Sequence, residues 1–153
     1  MRYLLDSSAL LAFYFAEPGG ARVLELLSDD DTEVAISVLS MAEFWSRLRA
    51  AGSDDEFEEE WRTVSQLVSA IHPVSLDVVS KSLSLRSAAI GRLPHIDALI
   101  AATAALLDAV LVHRDPHFES IPTHFSNRKS SPTNSGNRPA ERVCPKSCAR
   151  RAG

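Results

Sequence analysis

Arg2-Tyr3-Leu4-Leu5-Asp6-Ser7-Ser8-Ala9-Leu10-Leu11-Ala12 decides how the rest of the chain is read. From Arg2 to Asp6 nearly every residue is apolar or aromatic, the pattern of a short buried strand. Ser7 and Ser8 are helix-capping residue types, so a helix is predicted over Ala9 to Phe15. A strand that hands over directly to a helix is the opening unit of a parallel α/β sheet. In open sheets of that kind, ligands bind at the edge where the strands end. Asp6 stands at that edge.

The pattern repeats downstream. Pro18-Gly19-Gly20 punctuates the chain, and Ala21 to Leu27 resumes with a helical apolar face formed by Val23, Leu24, Leu26 and Leu27. Asp29-Asp30-Asp31 reads as a solvated loop, and Val34 to Ser37 as a second strand. Ser40 and Glu43 have the spacing of a capping box, opening a helix that runs to Gly52. Behind the acidic stretch Asp54 to Glu60, the residues Trp61, Val64, Leu67 and Val68 form an amphipathic face; acids in a first helical turn suit the helix dipole. Ile71 to Ser75 is a third strand, placed at an edge by Pro73. Asp77 to Ile90 and the alanine-rich Asp97 to Leu107 are helices, and Ala109 to His113 is the fourth strand. Strands alternating with helical segments predict a three-layer α/β/α fold with a central parallel sheet of four to five strands. There is no internal repeat and no glycine-rich phosphate loop.

Composition sets the frame. A chain of 153 residues with 45% hydrophobic and 24% charged residues is expected to form one globular domain. No apolar run reaches the roughly 20 residues of a spanning helix, and the N-terminal segment meets an acid at Asp6, so neither a membrane anchor nor a signal peptide is expected and a cytoplasmic location follows. Cys144 and Cys148 lack the spacing of redox or zinc pairs and are expected to be free thiols. The net charge of −4 conceals two regions: residues 126–153 carry seven basic residues against one acid, or +6, and the preceding 125 residues carry −10. The basic segment is polar and holds Pro132, Pro139 and Pro145, so it is expected to be a disordered tail. The predicted domain is therefore 1–125, with the tail at 126–153.

Four acids fall where a predicted strand ends or a predicted helix starts: Asp6, Glu43, Asp97 and Asp115. Taken singly, each has a capping or helix-surface explanation. Taken together, parallel topology brings their edges into one place. Carboxylates gathered there repel one another unless a divalent cation compensates them, and hard oxygen ligands favour Mg2+ or Mn2+.

At these residues the chain resembles a known family. Asp6-Ser7-Ser8-Ala9-Leu10-Leu11-Ala12, Glu43 in an early helix, Leu93-Pro94-His95-Ile96-Asp97-Ala98-Leu99-Ile100-Ala101-Ala102-Thr103-Ala104 and Leu111-Val112-His113-Arg114-Asp115-Pro116-His117-Phe118 are similar to PIN-domain ribonucleases, and among these to VapC-type toxins of type II toxin–antitoxin pairs. The resemblance runs from residue 1 to about 122. It implies a PIN-like fold and a metal-dependent endoribonuclease that hydrolyses RNA phosphodiester bonds with a metal-activated water. Asp6, Glu43, Asp97 and Asp115 match the family's catalytic and metal-binding quartet, and Ser7 a supporting hydroxyl. It also implies a homodimer restrained by a cognate antitoxin; Phe13, Phe15, Trp45 and Trp61 are candidates for the groove that would seat it, the alternative being that they belong to the core. Since the body is acidic, RNA requires a local basic groove, for which Arg47 and Arg114 are the first candidates, with Arg49, Arg86 and Arg92 behind them.

Two features depart from the family pattern. His113 stands where relatives often carry Thr or Ser before Arg-Asp; a structural role is favoured over a contact to Asp115 or the metal, and His95 and His117 lie nearby. Past Ile121-Pro122, relatives usually continue into a short hydrophobic edge strand, whereas this chain enters its polar tail. Two other functions compete. A haloacid-dehalogenase-like phosphohydrolase would need Asp-x-Asp, but Ser8 occupies the second position. The other is a catalytically silent PIN-like module that binds RNA or protein without cutting.

Overall fold

The computed structural model describes residues 1–122. Four strands, β1 (Arg2–Leu5), β2 (Glu33–Ser37), β3 (Ala70–His72) and β4 (Val110–Val112), form one sheet in the order β3-β2-β1-β4, with every pairing parallel. Six helices connect them: α1 (Ser7–Tyr14), α2 (Gly20–Leu27), α3 (Leu39–Ala50), α4 (Phe57–Leu67), α5 (Leu76–Ala88) and α6 (His95–Leu106). Short 3-10 turns occupy Asp54–Glu56 and Pro116–Ser120.

Strand pleating sorts the core into two layers. Tyr3, Leu5, Val34, Ile36 and Val112 point to one face and pack with Leu10, Val23, Phe44, Leu48 and Val64 from α1 to α4. Leu4, Ala35 and Leu111 point to the other face, against Val78, Leu85, Ala98, Ile100 and Ala101 from α5 and α6. The sheet is thus covered on both faces, which is why its central strands are apolar throughout. The predicted three-layer α/β/α fold with a parallel sheet of four to five strands is the observed one, with four strands among the described residues.

Boundaries differ in instructive ways. α1 is capped by Asp6, not by Ser7 or Ser8: the Asp6 side chain accepts from the Ser8 N–H. The Ser40–Glu43 capping box does not form, because the chain turns into the helix before Ser40: Val38 already has helical backbone angles. Val38 N–H donates to the His72 carbonyl at 2.9 Å and Ser37 Oγ accepts from Leu39 N–H at 3.3 Å, while Ser40 lies buried inside α3 with its hydroxyl paired to Ser7. β3 is confined to Ala70–His72 by Pro73 and lies at a sheet edge as expected; Ser75 then caps α5. α6 starts two residues before Asp97, which places that acid in its first turn.

The connection from α1 to α2 depends on one glycine. A Cβ on Gly20 would lie 2.5 Å from the Ala12 carbonyl oxygen, so only glycine permits this helix–helix approach. No helix among the described residues is long and apolar enough to cross a membrane. The basic tail at 126–153, its two cysteines and the position of the family's final edge strand lie outside the described residues.

Candidate active site

The sheet order places β4 on one side of β1, and β2 and β3 on the other. The direction of winding therefore reverses between β1 and β4, the position at which open α/β sheets form a crevice. A cleft of about 510 Å³ opens there, and Asp6, Glu43, Asp97 and Asp115 all line it. The four acids are separated by up to 109 residues in sequence, and the parallel topology brings them together.

Asp6 is set where β1 ends. Its N–H donates to the Val112 carbonyl of β4 at 2.9 Å, so its main chain belongs to the sheet. Its Oδ2 accepts from the Ser8 N–H at 3.0 Å and from the Ser8 hydroxyl at 2.6 Å. Burial raises the affinity of this carboxyl for a proton; the bonds from Ser8 oppose that, and the nearby Asp115 adds to it. The Ser8 oxygen also accepts from the Arg114 N–H at 3.1 Å, which joins the two strand ends flanking the cleft.

Glu43 is half-buried in the second turn of α3. Its carboxyl is raised first by burial, with smaller contributions from Asp6 and Asp115 and opposition from Ser7. Ser7 is itself buried and pairs with Ser40 at 3.1 Å, which ties α1 to α3 beneath Glu43. Asp97, in the first turn of α6, is pushed up to about 6 by burial and then by Asp115 and Asp6, while His117 opposes the shift. Asp115 caps the turn Pro116–Ser120, its Oδ1 accepting from the His117 N–H at 2.9 Å. The His117 ring folds back, with Nδ1 2.8 Å from Asp115 and 3.6 Å from Asp97. Asp97, Asp115 and His117 each bring a ligand atom within 4.8 Å of the others.

The donor set is chemically suited to a divalent cation. Hard carboxylate oxygens dominate it, and beyond the effect of burial Asp115 and Asp6 add to the proton affinity of Asp97, a repulsion that a cation would relieve. The imidazole beside Asp97 and Asp115 is a donor that Mn2+ accepts more readily than Mg2+.

Arg47 and Arg114 both line the cleft. Each is held by Glu17, from the turn after α1: Arg47 Nη2 donates to Oε1 at 2.8 Å and Arg114 Nη1 to Oε2 at 3.0 Å. Arg114 and then Arg47 keep the Glu17 carboxyl below its ordinary range. Arg86 and Arg49 are engaged elsewhere. Arg86 donates to the Leu93 carbonyl and meets His95 Nδ1 at 3.1 Å, bracing the loop before α6. Arg49 lies over the Trp45 ring. Trp61 packs with Phe44 and Phe57 against the core, although Trp45 is exposed. His113 is buried on Phe118 and donates from Nδ1 to the Asp115 carbonyl at 3.0 Å, so its role is structural, fixing the loop that presents Asp115.

Sequence reasoning missed Glu17 and took Ser8 for a helix cap alone. Glu17 sits in a turn and carries no local signature; its partners are 30 and 97 residues away. For Ser8 a signal existed, since a hydroxyl two residues after a strand-end Asp can turn back onto that carboxylate.

A family model for the PIN domain matches residues 3–123, and the chain belongs to the PIN-domain family. Solved structures share its fold. Among them are VapBC2 from Rickettsia felis bound to a promoter DNA fragment (21% identity, 85% of this chain and 100% of that one, TM-score 0.67), and a toxin–antitoxin complex from Klebsiella pneumoniae (24% identity, 78% and 92%, TM-score 0.63). VapBC-1 from nontypeable Haemophilus influenzae is a third (17% identity, 84% and 97%, TM-score 0.64). No curated protein sequence matches the chain.

Proposed function

We propose that this protein is a metal-dependent endoribonuclease, the VapC-type toxin of a toxin–antitoxin pair, acting in the cytoplasm and held in check by a cognate antitoxin. The observation that carries the reading is the convergence of Asp6, Glu43, Asp97 and Asp115 on one cleft at the β1–β4 crevice. The likeness in fold to chains from VapBC and toxin–antitoxin complexes supports the choice of partner, and a homodimer is expected from the same resemblance.

Asp6, Asp97 and Asp115, with Glu43, would hold Mg2+ or Mn2+. Such an ion supplies acidification of water and compensation of phosphate charge. The protein's own contribution is orientation. Ser8 fixes the Asp6 carboxylate and couples it to the strand end that carries Asp115. Ser7 and Ser40 anchor the start of α1 against α3, which carries Glu43. His117 stands against Asp97 and Asp115 and keeps Asp97 more acidic than its surroundings would otherwise make it. Among the described residues, no serine lining the cleft is paired with a histidine or lysine side chain, and the Ser8 hydroxyl donates to the Asp6 carboxylate, so attack by water is favoured over a protein nucleophile.

The test is cleavage of purified total RNA with Mg2+, Mn2+ or EDTA, comparing wild type with Asp97→Asn. Discrete fragments that require metal and disappear in the variant are expected. A folded wild type that binds RNA without cutting it under any of these conditions would overturn the enzyme in favour of a binding module.

A further inference from the structure

Three residues on the cleft wall form a unit with no place among the four acids. Glu17 spends one carboxylate oxygen on Arg47 and the other on Arg114. The two arginines come from α3 and from the loop after β4, so a single carboxylate ties together two separate walls of the cleft. Arg47 is also fixed from a second direction, its guanidinium lying 5.2 Å from the centre of the Phe15 ring. The Arg114 aliphatic stem lies alongside Gly19, where a Cβ would come within 3.5 Å of its Cδ. Both arginines remain partly open to solvent, at 48% and 39% side-chain exposure.

The charge count is informative. One carboxylate between two guanidiniums leaves the group at +1, on the rim of a cleft whose floor is acidic. Each guanidinium has five N–H donors, and Glu17 takes one from each. The donors left over form a two-sided cationic seat beside the acids, and an anion is what such a seat accepts. Free arginine side chains lose considerable rotamer freedom when they grip a phosphate; here much of that ordering exists before any ligand arrives.

We infer that Glu17 is a positioning residue which holds Arg47 and Arg114 as a clasp for a backbone phosphate of single-stranded RNA, next to the phosphodiester presented to the carboxylates. The inference rests on the nuclease reading and adds to it how the strand is seated. Glu17 touches neither the reacting atoms nor the RNA; it acts through the two arginines. The clasp therefore affects capture of the strand more than chemistry, and it fails when the arginines are present but unrestrained.

The experiment is binding of a short fluorescent single-stranded RNA of mixed sequence to the full chain. Anisotropy is measured in calcium over a range of salt concentrations, with circular dichroism and thermal melts on every variant. Arg47→Ala and Arg114→Ala are each expected to weaken binding about tenfold, as loss of a charge-assisted contact does, and to flatten the salt dependence by about 0.7 in log–log slope. Glu17→Gln, which keeps the side-chain shape but removes the bridging charge, is expected to weaken binding despite making the protein more positive. In that background each arginine truncation should have a much smaller effect, while Glu17→Asp should recover part of the loss. RNA binding by Glu17→Gln equal to or tighter than wild type would overturn the clasp, since Glu17 would then be an anion competing with phosphate. Undiminished arginine effects in the Glu17→Gln background would overturn it too. Failure of the folded wild type to bind RNA at all would instead sink the nuclease reading, and the clasp with it.

Discussion

The Ser8 hydroxyl donates to Asp6 at 2.6 Å while its oxygen accepts the Arg114 N–H, so one small side chain sets the Asp6 carboxylate and joins it to the end of β4. Ser8→Ala removes both contacts. Because the bonds from Ser8 lower the proton affinity of the buried Asp6, their loss raises it further. The variant is expected to lose about 1–2 kcal/mol of stability and to bind Mn2+ more weakly near neutral pH. Denaturant unfolding and calorimetric titration check the two effects separately.

Asp97 makes stability depend on pH in a direction opposite to that of a salt-bridged acid. Its folded carboxyl titrates at about 6 against an ordinary 3.8, so between those values the folded chain binds more protons than the unfolded one. Its contribution to stability is present below about pH 4 and is lost as pH rises through about 6. In EDTA near neutral pH, Asp97→Asn should therefore melt higher than wild type, by on the order of 1 kcal/mol after allowance for solvent screening. Added Mn2+ should raise the melting temperature of wild type, increasingly so above about pH 6, and that of the variant much less. Equal melting temperatures in EDTA at both pH extremes would contradict this account of the cleft.

Gly20 is a packing constraint remote from the acids. In Gly20→Ala the new methyl carbon meets the Ala12 carbonyl oxygen at 2.5 Å, and both groups belong to packed backbone. The helices must separate, at a cost of about 2–3 kcal/mol. A thermal melt of the variant within a degree or so of wild type would mean that the α1–α2 contact is looser than described.

Removal of residues 126–153 is expected to leave the fold intact. The buried core of the described residues is complete by Ile121, and the tail's composition gives it little apolar surface to contribute. A truncated chain that melts well below the full-length protein would place the tail within the domain.

Strand and helix alternation was legible because each element carries its own periodicity, and β1, β2 and β4 are apolar enough to mark a sheet buried on both faces. The positions of Asp6, Asp97 and Asp115 were legible for the same reason, since each sits next to an element that can be recognised locally. Local rules failed where tertiary bonds outbid them. Ser40 has the capping-box spacing, but Val38 already adopts the helical conformation, so the helix starts earlier, at Leu39, and the buried Ser40 hydroxyl pairs with Ser7 instead.

By itself, then, the sequence determined the order of elements, the parallel sheet and the four acids at its edge, because these follow from short-range patterning of apolar and polar side chains. Only the tertiary structure decided which groups meet: Ser8 on Asp6 and Arg114, His117 on Asp97 and Asp115, and Glu17 between Arg47 and Arg114. Several of these partners lie many residues apart, and no local pattern encodes a hydrogen bond that exists only once the chain has closed on itself.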